Sequence, residues 1–190
     1  MDRRDFFRRG FSKATEVAVK VADKRVSDRA KNWIRPPYAI PELDFLLACT
    51  RCNACIEACP HDVIFPLSAR LGADVASTPA LDLLKKGCHL CEDWPCVSAC
   101  EAKALVLFNE NEEGQLALPQ FAVAEIDTIT CLPYSGPECG ACVSVCPVKG
   151  ALVLEQEKPK IDALICVGCA LCREACVVEE SAIKITTVNL

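Results

Sequence analysis

Cys49-Thr50-Arg51-Cys52-Asn53-Ala54-Cys55-Ile56-Glu57-Ala58-Cys59-Pro60 sets four cysteines apart by two, two and three residues and closes on a proline. Three thiolates two residues apart on a tight loop can wrap three corners of a metal–sulfide cube, with the intervening amides turned toward the inorganic sulfur. The fourth cysteine lies too far along the chain to close the same cube. Working outward, the pattern recurs: Cys166, Cys169, Cys172 and Cys176 repeat the spacing, with Val177 in place of the proline. Cys88, Cys91, Cys96 and Cys100 carry two extra residues in the middle gap, Glu92-Asp93-Trp94-Pro95. Cys131, Cys139, Cys142 and Cys146, followed by Pro147, have the first gap stretched by Leu132-Pro133-Tyr134-Ser135-Gly136-Pro137-Glu138. Both are loop insertions that leave the ligands in place.

All 16 cysteines of the 190-residue chain fall in these groups. A disulfide scaffold scatters its cysteines, whereas neighbours two or three residues apart are placed to converge on one centre. Structural zinc also uses C-x2-C pairs, yet a third cysteine at x2 and a fourth at x3 would be surplus to it. A [3Fe–4S] centre usually lacks a ligand, and no position is empty here. The spacing therefore predicts four [4Fe–4S] clusters. Small residues at Ala54, Gly140, Ala141, Gly168 and Ala170 leave room for backbone beside the cores. With aromatics at 6% and one methionine, an ordinary aromatic and aliphatic interior is hard to assemble, so the clusters are expected to organise it.

The first group matches the bacterial ferredoxin run, in which the fourth cysteine ligates the other cluster of a pair. The proline after it is expected to open the following helix. Only 19 residues separate Cys146 from Cys166, against 28 between Cys59 and Cys88 and 30 between Cys100 and Cys131. Groups three and four thus read as one unit, with one cluster on Cys131, Cys139, Cys142 and Cys176 and the other on Cys166, Cys169, Cys172 and Cys146. Groups one and two then give Cys49, Cys52, Cys55 and Cys100, and Cys88, Cys91, Cys96 and Cys59. A nested alternative pairs group one with four and two with three. Ala151-Leu152-Val153-Leu154 and Lys160-Ile161-Asp162 read as a hairpin around a turn at Glu157-Lys158-Pro159. Leu105-Val106-Leu107-Phe108 and Phe121-Ala122-Val123 read as another, which nesting would require. The expected fold is α+β: tandem two-cluster ferredoxin-like units with short helices and β-hairpins over residues 39–122 and 123–190, after a helical arm over 1–38.

Residues 1–35 hold 11 Lys/Arg against 5 Asp/Glu, and the remainder 10 against 21, so a basic arm precedes an acidic body that does not suit nucleic acid. Four clusters would take the formal charge of −5 to roughly −13. Phe7, Phe11, Val17, Val21 and Val26 recur at near-helical spacing, giving an amphipathic helix that is either solvated or a docking element for a partner. Arg35-Pro36-Pro37-Tyr38 stops it, and the folded body is expected from about Ala39. Arg3-Arg4-Asp5-Phe6-Phe7 resembles a twin-arginine export signal, but charges from Lys13 to Lys31 interrupt the apolar core such a signal needs. A cytoplasmic location is expected, with a periplasmic one the alternative if that start is functional. No run of 18 apolar residues suggests a membrane span.

His61 and His89, inside or beside the cysteine loops, read as solvated or amide-bonding side chains, with tuning of a neighbouring cluster's potential as the alternative. Trp94 and Tyr134, on the two insertions, either cover clusters or meet a partner. No nucleotide-binding fingerprint is present.

Ile34-Arg35-Pro36-Pro37 ahead of Cys49-Thr50-Arg51-Cys52, the Cys91-Glu92-Asp93-Trp94-Pro95-Cys96 loop, the stretched Cys131 to Cys139 gap, and Cys176-Val177-Val178-Glu179-Glu180-Ser181-Ala182-Ile183-Lys184 together resemble polyferredoxins of the MauM/NapG/NapF type over residues 33–190. The resemblance implies a carrier of single electrons between redox partner proteins in systems such as methylamine dehydrogenase and periplasmic nitrate reductase. It implies, as an alternative, an accessory protein that assists a molybdenum enzyme's maturation. Catalysis by the chain itself is not expected, because no cluster lacks a protein ligand.

Overall fold

The computed structural model describes residues 20–21, 24, 26, 28–30, 32–107 and 117–187. The arginine pair and most of the predicted arm helix lie outside them; Lys20, Val21, Lys24, Val26 and Asp28 to Ala30 are helical. The body begins before Ala39. Trp33 and Tyr38 are buried, Pro36 and Pro37 are fully buried, and Ile34 bridges Leu81. Arg35 anchors this entrance, because its guanidinium forks onto both carboxylate oxygens of Glu42, at 2.6 and 2.8 Å, and donates to Thr78 Oγ1 and the Pro79 carbonyl. It also lies over the Trp33 and Phe45 rings. The last described helical residue is Ala30, six residues ahead of Pro36, and the rings of both prolines are packed into the body.

Helix α1 (Glu42–Ala48) delivers the chain to Cys49 and buries Phe45. Four of the remaining helices are single turns inside the cysteine groups: α2 (Ala54–Glu57), α3 (Pro95–Ser98), α5 (Ala141–Ser144) and α6 (Leu171–Glu174). A four-residue helix has no stability of its own, so tertiary packing must hold these. The stretched gap of the third group contains a further turn, α4 (Leu132–Ser135). No helix starts at Pro60. Cys59 follows α2 with its amide on the Ile56 carbonyl, and proline, lacking a donor and disfavouring helical geometry before it, ends the helix there.

Strand β1 (Ile64–Pro66) pairs antiparallel with β2 (Pro79–Leu81), Ile64 opposite Leu81. Strand β4 (Leu152–Glu155) pairs with β5 (Lys158–Ile161), Leu152 opposite Ile161. The expected hairpin is present, but its turn is Gln156-Glu157, both at positive φ (51° and 65°), and Lys158 and Pro159 belong to the strand. That pair of left-handed residues gives the two-residue loop whose twist matches flanking strands. Among the described residues the other predicted hairpin does not form. Leu105 bridges Ala39, with Ile40 N on Ala104 O and Val106 N on Tyr38 O, while β3 (Ala122–Ile126) pairs with β6 (Ile183–Thr187). Each segment thus closes on its own distant end, Ala39 on Leu105 and β3 on β6. The 105–107 and 121–123 runs are apolar enough to pair but find partners elsewhere, and Phe108 lies outside the described residues.

One core group joins Tyr38, Phe45, Val63, Leu81, Trp94 and Phe121 to Cys55, Cys88, Cys96, Cys169 and Val167, and so draws on both ends of the chain. A second gathers Ala124, Cys142, Leu152, Cys172 and Ile183. Cysteine sulfur takes the place that large side chains hold in an ordinary interior.

Candidate metal centres

Backbone conformation shapes the loops first. In three groups the residue before the second cysteine is left-handed: Arg51 at φ 59°, Leu90 at 49° and Gly168 at 77°. The residue two before the third cysteine is left-handed as well in three, namely Asn53 at 65°, Trp94 at 44° and Ala170 at 64°. Alternation of right- and left-handed residues turns successive N–H groups to one side, the concave arrangement that receives anionic sulfur. Glycine is required at 168, because an added Cβ would overlap the Ala122 carbonyl and the φ is left-handed.

Twelve of the cysteines line three cavities in fours. One, with about 380 Å³ of space free of protein atoms and partly open to solvent, is lined by Cys131, Cys139, Cys142 and Cys176 among Ile126, Leu132, Pro133 and Ile183. Another, of about 340 Å³, is lined by Cys59, Cys88, Cys91 and Cys96 with Trp94 and both histidines. A third, again about 340 Å³, is lined by Cys146, Cys166, Cys169 and Cys172 among Val148, Ala151, Leu152 and Ile161. The remaining four, Cys49, Cys52, Cys55 and Cys100, share no such cavity among those described, and Cys55 lies within electrostatic reach of Cys100, Cys49, Cys96 and Cys52. Below, the first set is Cys49, Cys52, Cys55 and Cys100, the second Cys59, Cys88, Cys91 and Cys96, the third Cys131, Cys139, Cys142 and Cys176, and the fourth Cys146, Cys166, Cys169 and Cys172.

Burial pushes Cys55, Cys88 and Cys172 up to about 12, and Cys96, Cys142 and Cys169 up to about 11, with neighbouring thiolates adding to the shift. Cys52 is the exception: exposed, and lowered by the Ala54 amide and the Thr50 hydroxyl. Buried thiols at such values are protonated at neutral pH. Only a cationic centre would hold them as thiolates, with release of their protons. Among the described residues no three His, Cys, Asp or Glu converge on the position of a single ion. Thiols spread around an apolar cavity, lined by left-handed amide loops, fit a polynuclear iron–sulfide core and not a mononuclear site.

His61 and His89 stack face to face at the wall of the second cavity, 3.6 Å between centroids and 8° between planes. Their sequence separation gave no sign of this. Trp94 is buried against that cavity and meets Tyr38 edge-on at 4.8 Å. Tyr134 instead hydrogen-bonds the Pro159 carbonyl, under Lys158. A repeated turn went unread in the sequence: Asp82, Asp127 and Asp162 each accept the amide two residues on, from Leu84, Ile129 and Leu164. Asp127 and Asp162 stand four residues before Cys131 and Cys166, and their carbonyls take those cysteines' amides. That spacing was the available signal.

A mixed α+β fold of short helices and two-stranded sheets, with cysteine loops of this spacing and conformation, defines a ferredoxin-type 4Fe–4S protein. The family model for the 4Fe–4S binding domain matches residues 47–65. Methylamine utilization ferredoxin-type protein MauM of Methylophilus methylotrophus is 34% identical over 97% of this chain and 86% of its own length. That of Methylobacillus flagellatus is 34% identical over 82% and 69%. Ferredoxin-type protein NapG of Haemophilus influenzae is 38% identical over 83% and 60%. The chain belongs to the MauM/NapG family of ferredoxin-type proteins. Its chemistry is therefore iron–sulfur electron transfer. No helix among the described residues is long and apolar enough to cross a membrane.

Proposed function

We propose that this chain carries four [4Fe–4S] clusters, one on each of the four thiol sets, in tandem two-cluster units over residues 39–122 and 123–190, and passes single electrons from a donor to a partner oxidoreductase. The observation that carries the reading is that each of three cavities is lined by three cysteines of one group and one of another. A cubane on four thiolates supplies one-electron transfer when bound. The chain's own part is to hold the thiols, aim amides at the sulfides and exclude water with Trp94, Leu152 and Ile183, which together set the potentials. A role in methylamine utilization, as named for the relatives, suits such a carrier.

Anaerobic reconstitution with iron and sulfide should give about sixteen iron atoms per chain and spectra of reduced cubanes. A count near four with zinc present would refute it. The basic arm is the docking element in this reading. Deleting residues 1–27 spares Arg29, which pairs with Asp74, and buried Trp33, and should abolish co-purification of the redox partner while leaving the iron count unchanged.

A further inference from the structure

Three contacts link the thiol sets. Helices α2 and α3 pack together in the main core, bringing Cys55 of the first set to Cys96 of the second. Between second and fourth the contact is backbone: Cys88 N donates to the Cys169 carbonyl at 2.7 Å. Around it, Gly87 N donates to Glu174 Oε2 at 2.7 Å and Arg173 Nε to the Leu84 carbonyl at 3.1 Å. Helices α5 and α6 pack in the second core group, where Cys142 of the third set meets Cys172 of the fourth.

From these we infer that the four sets form one unbranched series, first to second to fourth to third, with the Gly87-Cys88 segment and the Cys169 carbonyl as the junction between the two ends of the chain. The inference rests on the four-cluster reading. Chain order and spatial order therefore differ, because the fourth set, last in ligand number, lies inside and the third lies at an end.

Both ends open outward. Cys52 of the first set is exposed, and Val177, in the wall of the third cavity, is 65% exposed. Gly87 is what allows the junction to close: a Cβ there would lie 2.7 Å from Leu171 N and 2.8 Å from its Cα, with no left-handed φ to confuse the effect. One electron taken from a protein donor at one end is delivered to a protein acceptor at the other, with no bond made or broken in the chain.

The test is electron paramagnetic resonance of the full-length, reconstituted and fully reduced protein, in which spins on adjacent clusters broaden one another. Cys91→Ala removes the second cluster and should leave the first as a separate unbroadened signal beside a broadened pair. Cys52→Ala removes the first and should leave no unbroadened signal. If the first cluster stays broadened in Cys91→Ala, the order is wrong. Gly87→Ala keeps every ligand and the wild-type iron count; it should convert the spectrum to that of two independent pairs. An unchanged spectrum there overturns the junction. A wild-type iron count well below sixteen would instead fail the four-cluster reading, so the two failures are told apart.

Discussion

Replacing Arg35 by methionine should destabilise the body sharply although Arg35 touches no cysteine. The Arg35 and Glu42 side chains are each 10% exposed, and the guanidinium meets both carboxylate oxygens. In Arg35→Met the carboxylate stays buried with the Trp33 indole N–H at 3.2 Å, while Thr78 Oγ1 and the Pro79 carbonyl lose a donor. Removing one partner of such a pair costs about 3–5 kcal/mol. For a chain of this size that lowers the unfolding midpoint by roughly 6–20 °C. Arg35→Lys keeps the charge but loses the fork, and should fall between. The double variant Arg35→Met/Glu42→Leu removes the stranded charge and should recover part of the loss. The assay is thermal unfolding of the anaerobic, cluster-loaded protein by circular dichroism at one scan rate, since cluster loss makes the midpoint rate-dependent. A midpoint for Arg35→Met within about 2 °C of wild type, or a double variant costing the sum of the singles, would refute the reasoning.

Three further outcomes are expected. Cys59→Ala and Cys91→Ala, on one cavity, should each lose about four iron atoms and lose no more when combined, whereas Cys59→Ala with Cys52→Ala should lose about eight by iron assay. Gly168→Ala forces a left-handed alanine against the Ala122 carbonyl and should cost about 2–5 kcal/mol, read as a lowered unfolding midpoint. The Lys184 ammonium, with the Ile129 amide, holds the Asp127 carboxyl below the usual carboxylate range. A depressed folded value gives stability that is present above the unfolded pKa of about 3.9 and is lost as pH falls through the folded one. Asp127→Asn should therefore lower the midpoint at neutral pH and flatten its decline below pH 4, and parallel pH curves would contradict this.

What the sequence made legible was the local geometry that one side-chain type imposes. Cysteine spacing leaves few backbone paths, and the apolar runs around Glu157 gave away the hairpin from Leu152 to Ile161, although its turn lies one residue earlier than read. The misses are pairings decided at a distance. Phe121-Ala122-Val123 looks the same to a local reading whether it meets Leu105 or Thr187, and closure around the cysteine loops selects the latter. Arg35 to Tyr38 reads as a helix stop ahead of the body because two prolines dominate it. Arg35 turns that stretch into core only through Glu42, Thr78 and Pro79. The His61 and His89 stack was likewise invisible, being made by two loops 28 residues apart meeting at one wall.

The borrowing of one cysteine across each cavity also limits how such a chain can be edited. Excising the segment that bears Cys131 to Cys146 would not subtract one centre, because it strips Cys146 from the cavity of Cys166, Cys169 and Cys172 and leaves Cys176 without companions. The smallest portion that can be duplicated, deleted or grafted with its ligands complete is a pair of groups, so the inventory of centres in relatives of this design should change in twos.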